Sequence, residues 1–398
     1  MKLEKMKLLP AAISLAMVGI NPSMAGIKFS SDDGNFSTVL GGRIQVDAWS
    51  AAKDDFDGLK GKSGTEFRRS RVFVKGTMYD DWIYKGQYDF ADNTTRMKDV
   101  YIGYNGLDAF KIKIGQFKQS MGLEELTSSK YITFMERALP SEAFATSRRI
   151  GLGIYKHSPH LSWAASVYGQ NEGDNTNDGG SEGYGAGARL AWTPWNDKGK
   201  LLHLGVSGAY ELQNDSKLRI RSRMEAHGVD TRYLDSGDIP KPDSTTKLGL
   251  EAATILGPFS LQGEYFLTKV KSDAQGVSDP DFDGYYIYGS WFLTGESRKY
   301  KKGAFARVTP KSIVGRGGLG AWELAVRYST VSLDDSGFKG GEESNITVGL
   351  NWYATKHVRF MANYIYVNAD PIATKTTGGV GNADDNPSIY QMRAQVDF

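Results

Sequence analysis

Ser388-Ile-Tyr-Gln-Met-Arg-Ala-Gln-Val-Asp-Phe398 closes the chain with two unlike faces. Tyr390, Met392, Ala394, Val396 and Phe398 alternate with Gln391, Arg393, Gln395 and Asp397, the two-residue period of a strand. One side is apolar and the other is wet. Hydrocarbon offers no partner to an unpaired N–H or C=O group. A chain that repeats this alternation without a long apolar helix can therefore cross a bilayer only as a closed barrel.

The opposite end agrees. Lys2, Lys5 and Lys7 precede a short apolar run from Leu8 to Ile20, and Ser23-Met-Ala25 supplies small residues for cleavage, so residues 1–25 read as a secretory signal. A membrane anchor is the weaker reading, because the run is too short to span and contains Pro10. The expected division is a signal peptide over 1–25 and one barrel over 26–398. The absence of cysteine removes disulfide scaffolds, thiolate catalysis and thiolate metal sites. Without residues 1–25 the chain carries 45 basic and 45 acidic side chains, so any preference for anions must come from where charges sit.

Further period-two runs recur along the chain. Outward series include Ile44 and Val46; Val72 and Val74; Trp82, Tyr84 and Tyr88; Ile102 and Tyr104; Ile112 and Ile114; Ile150, Leu152 and Ile154. The second half continues with Leu204, Val206 and Tyr210; Leu248 and Leu250; Tyr285, Ile287 and Trp291; Leu324, Val326 and Tyr328; Ile346, Val348, Leu350 and Trp352. Short turns such as Asp80-Asp81, Gly257-Pro258 and Thr355-Lys356 alternate with longer segments. The result is an all-β, transmembrane antiparallel β-barrel of about 16 strands, an even number, with long outer loops. A strand-like piece from Lys217 to Ala226 would make the count odd and is assigned to the fifth outer loop.

In that piece Arg219, Arg221 and Arg223 alternate with Leu218, Ile220, Ser222 and Met224. An extended backbone would set the three guanidiniums roughly 6.6 Å apart, inside a Debye length of about 8 Å. Weak sites whose fields overlap allow an anion to enter and to leave, and guanidinium suits phosphate through its planar fork of donors. A solvated basic loop touching lipopolysaccharide is the standing alternative.

Strand parity aims Arg43, Arg69, Arg71, Lys75, Lys111, Lys113 and Arg149 into the lumen, along with Asp47, Asp89 and Asp99. The insertion from Lys118 to Ser147 mixes Leu123, Leu126, Tyr131, Ile132, Phe134, Met135 and Leu139 with Ser128, Ser129, Lys130, Glu136 and Arg137. So much apolar content needs a surface to bury against, and the barrel interior provides one. The insertion is expected to fold inward as a constriction loop; a surface loop at a subunit contact is the alternative.

Several stretches carry a resemblance. Gly41-Gly-Arg-Ile-Gln-Val-Asp47, Gly115-Gln-Phe-Lys118, Tyr131-Ile-Thr-Phe-Met-Glu-Arg137, Trp291-Phe-Leu-Thr-Gly-Glu-Ser-Arg298, Gly320-Ala-Trp-Glu-Leu-Ala-Val-Arg-Tyr-Ser329 and the closing strand are similar to the phosphate-selective porin O and P family, over nearly the whole mature chain. The resemblance implies a homotrimer of sixteen-stranded barrels in the bacterial outer membrane, passing phosphate or other small anions. It implies an arginine ladder on Arg219, Arg221 and Arg223, with Arg69 as a further rung. It places the constriction on Arg43, Asp99, Ser128, Ser129, Lys130 and Arg137, and a basic exit on Lys75, Lys111 and Lys113, helped by Arg298, Lys299, Lys301 and Lys302. Glu124 and Glu125 in the loop, and Phe67 where an aromatic hydroxyl would tune ligand size, are departures.

Other chemistry finds little support. The five histidines are scattered without metal-ligand spacing, and no metal, cofactor or nucleic-acid partner is expected. The lipid and lipopolysaccharide of the outer membrane are the expected surroundings. The sequence favours a passive anion-selective porin over a general diffusion porin with mild anion preference. A barrel enzyme such as an outer-membrane phospholipase would need an outward Ser and His pair, which the series lack.

Overall fold

The computed structural model describes residues 26–52, 62–169, 182–370 and 386–398. The expected signal, residues 1–25, and most of the first, fourth and eighth outer loops lie outside them. Sixteen antiparallel strands close into a barrel. They are β1 Phe36–Ala52, β2 Ser63–Met78, β3 Trp82–Asp89, β4 Arg96–Tyr104, β5 Lys111–Lys118 and β6 Arg148–His157. The middle strands are β7 Leu161–Gly169, β8 Tyr184–Asp197, β9 Lys200–Leu212, β10 Pro242–Leu256 and β11 Phe259–Ser272. The set ends with β12 Asp281–Phe292, β13 Ala321–Asp335, β14 Phe338–Tyr353, β15 Val358–Asp370 and β16 Ser388–Asp397. Neighbours in sequence are neighbours in the sheet, and β16 closes on β1 from Arg43 opposite Asp397 to Ala52 opposite Ser388. Closure leaves no sheet edge in the membrane. A short N-terminal strand, Ile27–Ser30, pairs with the start of β1.

The expected outward series face outward. Along β16 Met392, Ala394, Val396 and Phe398 are exposed while Gln391, Arg393, Gln395 and Asp397 are buried. Aromatic side chains gather at the end that carries the termini, where Trp322 stacks on Trp352 at 5.5 Å, Trp352 on Phe360 at 5.3 Å, and Phe259 on Trp291 at 5.6 Å. Such a belt marks a lipid–water interface.

Of the several register shifts in the sheet, one bears on the site. Gln45 faces Arg69 and Val46 faces Phe67, so Arg68 is an extra residue on β2. This bulge turns both Arg68 and Arg69 inward, onto Glu136, and leaves Phe67 on the outer face with 61% of its surface exposed. Phe67 therefore lies away from the lumen and cannot tune a ligand there.

Three insertions fill the interior. The third outer loop, 119–147, folds inward with two short helices, α1 Leu123–Leu126 and α2 Leu139–Phe144. Its Met121, Leu139 and Phe144 pack on Phe266, Val270, Phe282 and Val331 of the wall. The fifth outer loop, 213–241, places Met224, Ala226, Val229 and Tyr233 against Ile365, Val367 and Ile389. From the terminal end the connection 293–320 sends up a hairpin, Lys299–Lys301 with Ala304–Ala306, whose Phe305 packs on Leu123, Leu201 and Ile255. These contacts cover much of the wall from β9 to β16, and a polar space stays open along β1 to β6.

Candidate functional site

That space narrows to a cavity of about 240 Å³. One water needs only ~10–15 Å³ by the same measure, so the cavity is wet and has room for a small oxyanion. Alternation along neighbouring strands supplies one wall: Arg43 from β1, Arg69, Arg71, Phe73 and Lys75 from β2, Lys85 and Gln87 from β3, and Asp99 from β4. Lys118 ends β5 and Arg148 begins β6. The third outer loop supplies the facing wall with Leu126, Ser128, Ser129, Lys130 and Arg137. The cavity thus brings together Arg43, Arg69, Asp99, Ser128, Ser129, Lys130, Arg137 and Lys75.

Most of these cations have a carboxylate standing behind them. Asp99 accepts from Lys85 at 2.5 Å and from Arg148 at 2.7 Å. Asp89 holds Arg71 at 2.5 Å, and Glu136 takes Arg68, Arg69 and Arg393 at 2.8, 3.3 and 2.6 Å. Burial acts to raise the Glu136 carboxyl, but the guanidiniums of Arg68, Arg69 and Arg393 outweigh it and hold it well below the usual range. Asp397 binds Lys130 at 3.0 Å and also Arg307. Glu125 lies between Lys118 at 3.1 Å and Arg137 at 2.9 Å; there too the cations outweigh burial, and its carboxyl stays below the usual value.

Arg43 differs. Its Nη1 donates to Ser129 Oγ at 2.9 Å, its Nε has no partner, and no carboxylate pairs with it among the described residues. The side chain is 5% exposed. A buried guanidinium without a counter-ion is costly and is stabilised when an anion enters beside it. Lys75, also on the cavity, has no carboxylate partner among the described residues either.

The fifth outer loop packs on the inner wall through Leu218 and Ile220, but its arginine row is not one extended strand. Lys217–Leu218 pairs with Ile239–Pro240, Arg221–Ser222 pairs with Leu234–Asp235, and the chain between them is irregular. Ile220 and Met224 are buried as expected. Arg219, however, is bound by Asp235 at 2.6 and 2.5 Å and lies 4.0 Å from Asp238, so it is a tethered cation rather than a free rung. Arg223 meets Glu142 of α2 at 3.8 Å, and Arg221 is exposed with no ion pair among the described residues. Arg232, which the period-two pattern does not reach, joins them: burial and then the charges of Arg223 and Arg221 lower its pKa. The Nε atoms of Arg223 and Arg232 are buried without a partner. Among the described residues Arg221 and Arg232 are thus the cations of this loop's arginine group without an ion pair, while Arg223 is loosely paired with Glu142.

Toward the terminal end Lys75, Lys111 and Lys113 lie within electrostatic reach of Lys302. Lys113 is caged by Tyr155, Phe117 and Tyr101, with its ammonium 4.2 Å from the Tyr155 ring centre. Arg298, expected here, is buried instead: its guanidinium lies 3.4 Å from the Phe305 ring centre and donates to Gln262 at 3.2 Å. It holds the hairpin rather than lining an exit, while Lys299, Lys301 and Lys302 stay exposed. Sequence reasoning missed Lys85, Lys118, Arg148, Arg68 and Arg232. Parity alone would have reached Lys85, one residue from outward Tyr84. Lys118 and Arg148 sit at strand ends, where the loop sets direction.

A closed sixteen-stranded barrel with an apolar outer belt, inward-folded loops and a wet, charged constriction defines an outer-membrane porin. The family model for phosphate-selective porin O and P matches residues 39–398, and the chain belongs to that family. Porin O of Pseudomonas aeruginosa is 30% identical, with 94% of this chain and 91% of that protein aligned. Among solved structures, the anion-selective porin from Comamonas acidovorans superposes with a TM-score of 0.59 at 13% identity, covering 91% of this chain and all of that one. The outer membrane channel DcaP of Acinetobacter baumannii gives 0.58 at 12% identity, covering 94% and 100%. At these identities the two structures speak to the fold alone.

Proposed function

We propose that this porin is a passive, anion-preferring channel whose constriction binds oxyanions of the phosphate class. The observation that carries the reading is Arg43, a buried guanidinium with no carboxylate partner among the described residues, facing a cavity ringed by Lys75, Lys130 and Arg137. Ser128 and Ser129 add hydroxyls there, and the free arginines of the mouth raise the local anion concentration upstream. Entry through several weak sites, with lysines beyond, allows both capture and release. Similarity to a porin named Porin O supports the same direction. Assembly as a homotrimer is part of the proposal, since an outer membrane protein of similar fold from Vibrio cholerae was solved as a trimer form. Planar-bilayer recordings test the channel reading. Reversal potentials in potassium chloride gradients should favour chloride, and inorganic phosphate should block the chloride current. A preference for potassium rejects the proposal; chloride preference without block reduces it to a general anion porin.

A further inference from the structure

The cations of the constriction fall into two sets, with and without a carboxylate partner among the described residues, and one of the partnering acids, Glu125, stands behind two of them. Arg43 and Lys75 face the cavity with no carboxylate partner among the described residues, whereas Arg137, on the facing wall, and Lys118, at the end of β5, share the carboxylate of Glu125. We propose that Glu125 is a tethered counter-anion, a specificity-determining residue that takes the electrostatic place of a permeating oxyanion beside Arg137 and so weakens the hold of the constriction on phosphate. The proposal rests on the anion-channel reading above.

The geometry separates the charge of Arg137 from its position. Three backbone carbonyls hold the guanidinium: Nε donates to Glu124 O at 3.1 Å, and Nη2 donates to Glu125 O at 3.1 Å and Thr127 O at 3.2 Å. These contacts fix the fork without help from a carboxylate. Glu125 Oε2, 2.9 Å from Nε, adds neutralisation. Lys118 is likewise held by the carbonyl oxygen of Glu125 as well as by its carboxylate. Glu125 itself is 6% exposed and does not line the cavity, so a permeating anion meets the compensated Arg137 and not the acid. Removing the negative charge should leave the loop in place and present Arg137 to the cavity as a second uncompensated guanidinium opposite Arg43. One added charge-assisted hydrogen bond corresponds to about a tenfold change in binding.

The test compares the parent, Glu125→Gln and the double variant Lys118→Met/Glu125→Gln by phosphate titration of chloride current in planar bilayers. Barrel folding is checked by the heat-dependent mobility shift in detergent gels. The double variant removes one charge of each sign and leaves Arg137 free, so it serves if the single change prevents folding. The expected result is a half-blocking phosphate concentration lowered about tenfold in Glu125→Gln, with its conductance in concentrated potassium chloride close to that of the parent, and a smaller lowering in the double variant, which also gives up the cavity-lining Lys118. Block at the parent's concentration in a chloride-selective parent and in both folded variants overturns the role of Glu125. Raised conductance with loss of selectivity also overturns it, because that marks a loosened loop. A parent that prefers potassium removes the anion reading itself and the inference with it.

Discussion

Among single residues Arg43 concentrates both function and cost. Its guanidinium is desolvated, bonded to Ser129 Oγ at 2.9 Å and without an ion pair among the described residues, with Asp89 and Asp99 acting on it only from a distance, so the fold bears a charge that a passing anion relieves. Arg43→Gln should raise the half-blocking phosphate concentration about tenfold while leaving thermal stability unchanged or higher, as read by the unfolding midpoint of the detergent-solubilised barrel. A marked drop in stability with unaltered block would make Arg43 a structural residue. Strand parity placed Arg43 in the lumen. It said nothing of partners: Arg219 is bound by Asp235, sixteen positions on across a loop fold. Which cation is neutralised depends on contacts between distant segments, and alternation along one strand carries no information about them.

The elements that narrow the pore are clamped together by Arg327 of β13. This fully buried side chain reaches Glu225 of the fifth outer loop at 2.5 Å and Glu124 of α1 at 3.5 Å, and donates to Glu136 O at 3.1 Å. Glu225 also takes the hydroxyls of Ser329 and Thr347 at 2.5 and 2.6 Å. One guanidinium thus holds both lumen loops to the wall. Arg327→Met should leave two buried carboxylates unpaired, at a cost of about 3–5 kcal/mol, seen as a lower melting temperature and as greater open-channel noise in bilayers. A quiet channel with parental stability would deny the clamp. The inward fold of the third outer loop was legible because its apolar residues needed cover. The hairpin at 299–306 was not, because lysine-rich sequence reads as solvated, and its anchors Tyr300, Phe305 and Arg298 meet His203, Leu123 and Gln262 only in the closed barrel.

At the scale of the molecule the lipid belt and the lumen answer to different solvents. Val326, 55% exposed in mid-strand between Gly289 and Val348, faces hydrocarbon. Val326→Lys should cost about 2–4 kcal/mol, measured by denaturant titration of folding into phospholipid vesicles. Asp108→Lys, in a terminal-end connection, should change stability by less than about 0.5 kcal/mol. Equal effects at both positions would contradict the assigned belt. The sequence by itself determined the strand period, the count of sixteen, the outward series and the inward fold of the third loop, because alternation is a local property imposed by one apolar solvent along every strand. Only the tertiary structure decided which lumen charges stand free: the bulge at Arg68, the carboxylates set behind Lys118, Lys130 and Arg137, and the covered half of the interior arise where segments far apart in the chain meet inside the closed sheet.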